Sequence, residues 1–251
     1  MRTPTPLALA LVMLGFASPL KAQDGNVNMA YFVTSDLAHV LQLEEAIQDH
    51  VEWHAQQNDP RPGFVYQAMH GGVEYVWIYP DQTWGDFDNP PVDSHEDMVD
   101  FAEGAGAHTT GLDVRTWVTW EDVSMPPASD AVVPIWQVIE WDFKNTSEGL
   151  QIVRSAFEKV RSAFEQQGIA MRYTVNEVVA LDGPPEMFVA IALDSMGALD
   201  GGEPGALESM LAQTYGHAEA MQIIRNFEEY LTPKAHRIWV FRPDLSHMPG
   251  M

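Results

Sequence analysis

Hydrophobic positions along the chain follow two periods, and the same order of elements is predicted twice. Runs rich in β-branched and aromatic residues predict strands, whereas apolar residues three or four positions apart predict helices. The first half has the order strand, helix, strand, strand, helix, strand, at Met29–Thr34, Leu37–Gln57, Phe64–Met69, Tyr75–Tyr79, Ser94–Ala107 and Thr116–Trp120. The second half repeats this order at Ile135–Phe143, Glu148–Gln167, Met171–Ala180, Met187–Leu193, Gly205–Leu231 and Arg237–Phe241, and its second helix is predicted to break near Gly216.

A weak internal duplication agrees with this repeated order. Residues 74–88 align without gaps to residues 186–200, with Glu, Gly and the final Asp identical. Residues 115–124 align to residues 237–246, where Arg, Trp, Val, Asp and Ser coincide. Two matching blocks in the same order favour a true duplication over chance similarity of two strand-rich segments. The order β-α-β-β-α-β in each half is the ferredoxin-like motif.

The chain therefore divides into two predicted structural units. We expect the first ferredoxin-like unit at residues 27–124 and the second at residues 135–246. A stretch rich in proline and serine at residues 125–134 is the predicted linker, because such composition interrupts regular structure. Residues 247–251 form a short predicted tail.

Two such units, with tryptophan-rich last strands and the segment EYVWIYPDQTWGDFD at residues 74–88, resemble a tandem member of the dimeric α+β barrel superfamily. That superfamily includes antibiotic-biosynthesis monooxygenase-like, EthD-like and haem-degrading proteins. The resemblance covers most of residues 27–245, is topological and contains no motif specific to one family. It implies an α+β fold in which two sheets of one chain pack face to face as a pseudo-symmetric barrel. It also implies a ligand between the sheet and the helices of one unit, but a function does not follow from a fold alone.

The first residues have the pattern of a secretory signal peptide. Arg2 supplies a positive charge, Leu7 to Phe16 is an apolar run too short to span a bilayer, and Ala22 is a plausible last residue before cleavage. We therefore expect residues 1–22 to be removed and the protein to be periplasmic or secreted. An uncleaved membrane anchor is the alternative.

Composition narrows the chemistry that the mature protein can perform. The 251 residues include 13 Lys and Arg, 36 Asp and Glu, and no cysteine, for a formal net charge of −23. This charge disfavours nucleic acid and anionic membrane surfaces as partners. The absence of cysteine excludes disulfides, thiolate nucleophiles and cysteine-ligated metals. A small apolar or aromatic ligand is the expected partner, and a homodimer is an alternative assembly.

A pair of histidines occupies apolar positions of the first helix. The apolar stripe of the equivalent second-half helix consists of Leu150, Val153, Phe157, Val160 and Phe164. The first-half helix has Val40, Leu43, Ile47, His50 and His54 at the same spacing. Buried imidazoles need partners, and histidines four apart on one helical face can also hold a metal or approach a haem. Histidines at the edge of the stripe, hydrogen-bonded to backbone, water or Glu52, are the alternative.

Two further histidines occur at matching positions of the two units. His95 precedes Trp117 by the same number of residues as His217 precedes Trp239, and an acidic residue follows each histidine two positions later. A histidine near a helix start with a carboxylate nearby can donate to a bound oxygen. A structural position that merely recurs in both units is the alternative.

Aromatic residues are concentrated in the first unit. On one predicted strand, Tyr75, Trp77 and Tyr79 occupy the odd positions, where the second unit has Met187, Val189 and Ile191. Rings with polar edges on one face of a sheet suit a pocket for a flat ligand. Ordinary core packing or a dimer contact is the alternative. The predicted ligand-binding residues are Tyr75, Trp77, Tyr79, Trp117 and His217.

The sequence thus favours an exported small-molecule-binding protein with an apolar and aromatic pocket in the first unit. An oxygenase-like or haem-handling enzyme, with His50, His54 and His95 as catalytic residues, is the first alternative. A structural or assembly protein without a site is the second. No metal ligand or resident cofactor is predicted, although haem remains an option.

Overall fold

The structure is a computed structural model. It describes residues 26–128, 131–144, 147–180, 186–200 and 205–250. The predicted signal peptide, residues 1–22, lies outside the described residues. Within the described part of the chain, no helix is both long enough and apolar enough to cross a membrane.

The described chain has a mixed α+β fold with an antiparallel barrel of eight strands and with six α-helices. The strands are β1 (Val27–Ser35), β2 (Phe64–Ala68), β3 (Val73–Gln82), β4 (Gly111–Thr119), β5 (Ile135–Phe143), β6 (Tyr173–Ala180), β7 (Glu186–Leu193) and β8 (Leu231–Phe241). The helices are α1 (Val40–Gln56), α2 (Trp84–Asp88), α3 (Ser94–Glu103), α4 (Ser147–Gln167), α5 (Ala206–Tyr215) and α6 (His217–Tyr230).

The eight strands close into one barrel in the order β1-β3-β2-β8-β5-β7-β6-β4. The first four strands are neighbours in the order β4-β1-β3-β2, and the last four have the equivalent order β8-β5-β7-β6. Two seams join these halves. In one, Tyr66 of β2 pairs with Phe241 of β8, and in the other Trp117 of β4 pairs with Val178 of β6. Closure pairs each of the eight described strands with a neighbour on both sides.

Strand alternation directs neighbouring side chains of β3 to opposite faces of the barrel wall. Tyr75, Trp77 and Tyr79 point outward and pack in a core with the buried face of α1. Val76 and Ile78 point into the barrel, in a second core shared by both halves. The row of aromatic residues on β3 is therefore located between the sheet and the helices of the first half.

The second half packs its helices on the barrel through apolar side chains. Val153 and Phe157 of α4 contact Met187 and Val189 of β7 in one buried cluster. Val160, one helical turn further along the same stripe, packs with residues of α5 and α6 in a further cluster. The predicted apolar stripe of α4 is thus buried against both the sheet and the neighbouring helices.

The structure confirms one predicted boundary and differs from the prediction at two others. Gly216, with φ of 84°, separates α5 from α6 and confirms the predicted helix break, because positive φ favours glycine. β8 begins at Leu231, well before the predicted start at Arg237. A register shift opposite Glu140 and Trp141 interrupts the pairing of this early part of β8 with β5, so regular alternation is lost there. The short helix α2 was not predicted, since five residues are too few to show a helical period.

Candidate functional site

The helix α1 buries two histidines against the sheet of the first half. Its buried face consists of Leu43, Ile47, His50 and His54, at the spacing of one side of an α-helix. His54 is completely buried and His50 is 5% exposed. Burial at these positions demands hydrogen-bond partners for the ring nitrogens, and carboxylates supply them.

Each histidine presents its Nδ1 atom to a carboxylate. His50 Nδ1 lies 2.6 Å from Asp100 Oδ2, and His54 Nδ1 lies 2.9 Å from Asp59 Oδ2. An ionised carboxylate can only accept, so both Nδ1 atoms carry the proton and donate. Asp59 also accepts two hydrogen bonds from the guanidinium of Arg61, at 3.0 Å from Nε and 2.8 Å from Nη2. These contacts fix the orientation of the two rings.

Asp97 of α3 faces the opposite side of both rings. Its Oδ1 atom lies 3.3 Å from His50 Nε2 and 3.5 Å from His54 Nε2. The first turn of α3 is held by Asp93, whose side chain accepts hydrogen bonds from the backbone N–H groups of His95 and Glu96. This N-cap anchors the turn from which Asp97 projects.

The pKa values reflect this dense set of charges. Burial favours the neutral form of Asp97, but hydrogen bonds with His50 and His54 outweigh burial and hold its pKa well below the usual range. Asp59 behaves in the same way, because His54 and Arg61 donate to it. Burial alone would lower the pKa of His54, whereas its contacts with Asp59 and Asp97 raise it. Both carboxylates therefore remain ionised at neutral pH.

A cavity of about 210 Å³ opens beside this group. Its walls include Tyr31, Trp77, Tyr79 and Phe101, and its polar lining residues include His50, Asp97 and Arg61. The ring centroids of Trp77 and Tyr79 are 6.1 Å apart in a stacked arrangement, and Tyr31 meets Tyr79 edge-on at 6.3 Å. The guanidinium of Arg61 lies 5.0 Å from the centre of the Tyr79 ring. The site can therefore hold an apolar body and orient one polar group of a ligand.

The structure brings four of the predicted residues together. His50, Trp77, Tyr79 and Tyr75 line the cavity, and His54 lies directly behind it, with Nε2 3.3 Å from the Tyr79 hydroxyl. The Tyr75 hydroxyl is engaged elsewhere, since it donates to Glu44. Whether these residues act on a ligand remains a prediction.

Three other predicted residues lie apart from this cavity. His95 is exposed on the first turn of α3, and His217 is exposed at the first position of α6. Trp117 points into the barrel, where its ring packs against Phe188 at 5.3 Å. Even positions of β3 and odd positions of β4 share the interior face, so Trp117 cannot join the outward row of Tyr75, Trp77 and Tyr79.

Trp117 lines a second cavity of about 420 Å³ inside the barrel. Phe32, Trp136 and Trp239 form other walls of this chamber, and Asn26 lies at its lining. Among the described lining residues of this chamber there is no histidine.

Sequence reasoning missed most of the residues that surround the histidines. Asp59, Arg61, Asp100 and Tyr31 were not candidates, and Asp97 was noted as the acid that follows His95. One signal was available: Asp97 and Asp100 are three apart on an amphipathic helix and so share a face. The side of that helix that meets α1 depends on tertiary packing.

No protein-family model and no curated protein matches this chain. Solved structures share its fold at low sequence identity. A mutant chlorite dismutase from Candidatus Nitrospira defluvii is 11% identical over 88% of this chain and 94% of that chain, with a TM-score of 0.54. A candidate monooxygenase from Lactobacillus acidophilus NCFM is 13% identical over 90% and 97% of the two chains, with a TM-score of 0.51. An anthrone oxidase-like protein is 12% identical over 92% and 96%, with a TM-score of 0.50. These matches show that the chain shares an α+β barrel fold with these proteins.

The haem option that the sequence left open raises the question of whether haem fits the residues around His50. The cavity of about 210 Å³ lies below the range of roughly 300–1,000 Å³ typical of small-molecule pockets. The Nε2 atoms of His50 and His54 both face Asp97 Oδ1, so neither presents an open lone pair to a flat macrocycle. The residues at this site do not fit haem.

Proposed function

Starting from the dimeric α+β barrel fold, we propose that the first half of this chain binds a small, flat, apolar or aromatic molecule carrying one polar group. The main support for this proposal is the cavity between α1, α3 and β3. It has aromatic walls, and its polar lining residues include His50, Arg61 and Asp97. Apolar walls supply binding energy, while a few fixed polar groups orient the ligand. The small volume selects a molecule of one or two rings.

The contrast between the halves supports this location. At the position of Trp77 and Tyr79 on β3, the second half has Val189 and Ile191 on β7, and they pack in or against an apolar cluster. An aromatic row and buried charges are more costly to maintain than such a cluster. Retaining them in one half only is typical of a site kept for function in one copy.

The proposal predicts which of two tryptophans, Trp77 or Trp136, controls ligand binding. We expect Trp77→Phe to weaken binding of 2-naphthol or a similar bicyclic phenol at least tenfold, because Trp77 forms a wall of the outer cavity. The matched control is Trp136→Phe, since Trp136 lines only the barrel chamber of the two cavities. Binding is measured by isothermal titration calorimetry. If the Trp136 variant loses binding and the Trp77 variant binds normally, the proposal is wrong and the ligand binds inside the barrel.

An oxygenase-like enzyme is the second candidate function. It is favoured by the two histidines and three carboxylates beside the cavity, a set of groups that mere binding of an apolar ligand does not need. Such an enzyme would consume dissolved oxygen when a phenolic ligand is added, and His54→Ala would stop this consumption. Ligand binding without oxygen uptake or any product would leave a binding protein.

The fold and its duplication fit the same proposal. We infer two ferredoxin-like units in tandem, and their equivalent strand orders β4-β1-β3-β2 and β8-β5-β7-β6 support the inference. We also propose that the protein is exported, on the signal-peptide pattern of residues 1–22. The mass of the protein recovered from a periplasmic extract should then correspond to a chain that starts at Gln23.

A further inference from the structure

We propose that His50, His54 and Asp97 bind one divalent first-row transition-metal ion through the two Nε2 atoms and a carboxylate oxygen. The three ligand atoms lie within 4.8 Å of one another. Both histidines come from one face of α1, and the carboxylate comes from α3. The site needs no particular small-molecule ligand, so it can be tested independently of the proposed function.

The hydrogen-bond donors and acceptors of these three side chains support a cation between them. Both Nδ1 atoms donate to carboxylates, so in the singly protonated form of either ring, the form that binds a metal, Nε2 can only accept. Asp97 Oδ1 is also an acceptor, and it faces both nitrogens. Three acceptors that converge repel one another unless a proton or a metal ion lies among them. The Tyr79 hydroxyl can donate to His54 Nε2 at 3.3 Å, which leaves His50 Nε2 and Asp97 opposed.

The spacing of the ligand atoms suits a tetrahedral ion. Metal–ligand bonds of about 2.0–2.1 Å give a tetrahedral edge of about 3.3 Å between neighbouring ligand atoms. Two edges, from Asp97 Oδ1 to His50 Nε2 and to His54 Nε2, are 3.3 and 3.5 Å. The third edge, between the two Nε2 atoms, is no longer than 4.8 Å. The two edges to the carboxylate therefore match those around an ion bound at about 2 Å.

The carboxylates that accept hydrogen bonds from the two Nδ1 atoms are typical partners of metal-binding histidines. A ligating histidine usually donates its other N–H to a carboxylate, which fixes the ring and increases its basicity. Asp100 serves His50 in this way, and Asp59, held by Arg61, serves His54. The ionised groups at the centre comprise three carboxylates and one guanidinium, so a divalent cation would bring their formal sum to zero.

Three protein ligands leave a fourth position for an exogenous ligand. His50 and Asp97 both line the aromatic cavity, so the open position faces the space where the ligand is proposed to bind. Two imidazoles and one carboxylate are compatible with zinc, cobalt or ferrous iron. The ion would act on a polar group of a molecule in the cavity, as a Lewis acid or as an anchor.

Cobalt binding tests this site directly. We expect untagged, EDTA-treated protein to bind one equivalent of Co²⁺ and to develop the intense visible absorption of a four-coordinate ion. Asp97→Asn and His54→Ala should each weaken binding at least 100-fold, because each removes one of three ligands. Asp100→Asn should weaken it about 10- to 100-fold through the orientation of His50. The matched control is His70→Ala, an exposed histidine in the turn between β2 and β3.

Circular dichroism of each variant separates loss of the site from loss of the fold, and Asp97→Asn preserves the shape of the side chain. The proposal is overturned if folded wild-type protein shows no stoichiometric band, or if Asp97→Asn keeps the band at unchanged affinity. It is also overturned if nitrogen NMR, with excess Zn²⁺ present, finds both nitrogens of His50 or His54 protonated. Ligand binding controlled by Trp77 would survive that result, so the failure of one proposal is distinguishable from the failure of the other.

Discussion

The indole of Trp77 packs directly against the backbone of Gly63, where a side chain would leave no room for it. A Cβ atom built at Gly63 would lie 2.2 Å from Trp77 Nε1 and 2.9 Å from Trp77 Cε2. The indole is buried and is in ring contact with His50 and His54, so it has little room to shift. The backbone of Gly63 is itself fixed by paired hydrogen bonds with His247. This close approach positions the main aromatic wall of the site.

Gly63→Ala should therefore destabilise the protein by about 1–3 kcal/mol, because the added methyl group overpacks a buried site. The comparison variant is Gly72→Ala, where no atom lies within 4 Å of the added Cβ. Urea unfolding followed by far-ultraviolet circular dichroism measures both. Equal unfolding free energies for the two variants would show that Trp77 is not confined by Gly63.

The difference between the two halves makes the histidine pair recognisable in the sequence. His50 and His54 stand out because the equivalent stripe of α4 is apolar, and the structure buries both on α1. Their partners Asp97, Asp100 and Asp59 could not be assigned from sequence. Which carboxylate meets which ring depends on how α3 and the loop after α1 pack, and the sequence pattern does not specify that packing.

At the scale of elements, α1 is tied to the end of the chain through a small ionic network. Glu44 accepts hydrogen bonds from Arg242, at 2.5 Å from Nη1, and from the Tyr75 hydroxyl. Arg242 also donates to Gln67 of β2 at 2.9 Å. The hydrogen bond from Arg242 is the main reason that the pKa of Glu44 is lower than its usual value. Glu44 thus links α1 to β3 and to the segment after β8, and Arg242 extends the network to β2.

A lowered carboxyl pKa contributes stability above its usual titration range, and this contribution is lost as the pH falls through the folded-state pKa. We expect Glu44→Gln to lower the unfolding free energy at pH 7 by at most about 1 kcal/mol, as for other solvent-accessible pairs. The difference from wild type should vanish in acid, where Glu44 is protonated in both states. Glu45→Gln, at the exposed neighbouring position, is the control. A Glu44 difference that persists unchanged at acid pH would contradict this account.

The order of helices and strands could be predicted from the sequence because most of them show a clear hydrophobic period or end at a residue that interrupts regular structure. The Gly216 break between α5 and α6 is one example. The early part of β8 was missed because Pro233 and Lys234 interrupt a strand pattern, yet β8 still pairs with β5 there around a shifted register. Tertiary pairing thus overrides local propensity at the edge of this strand.

At the scale of the whole molecule, the two halves share one architecture and differ in their contents. The barrel joins them through the β2–β8 and β4–β6 seams. Between sheet and helices, the first half has buried histidines, carboxylates and aromatic rings, whereas the second half has an apolar core. Neither the barrel order nor this contrast in burial follows from composition. The high negative charge is spread along the sequence of both halves and marks no single site.

His50, His54 and Asp97 of the first half are proposed to form a metal site beside its cavity, with the second half as scaffold. An anomalous difference map from crystals of the protein grown with Co²⁺ tests this site directly. We expect one strong peak within about 2.0–2.2 Å of His50 Nε2, His54 Nε2 and an Asp97 oxygen. A map with no peak among these three side chains, while the crystal binds cobalt in the second half or only at exposed histidines, would contradict the account.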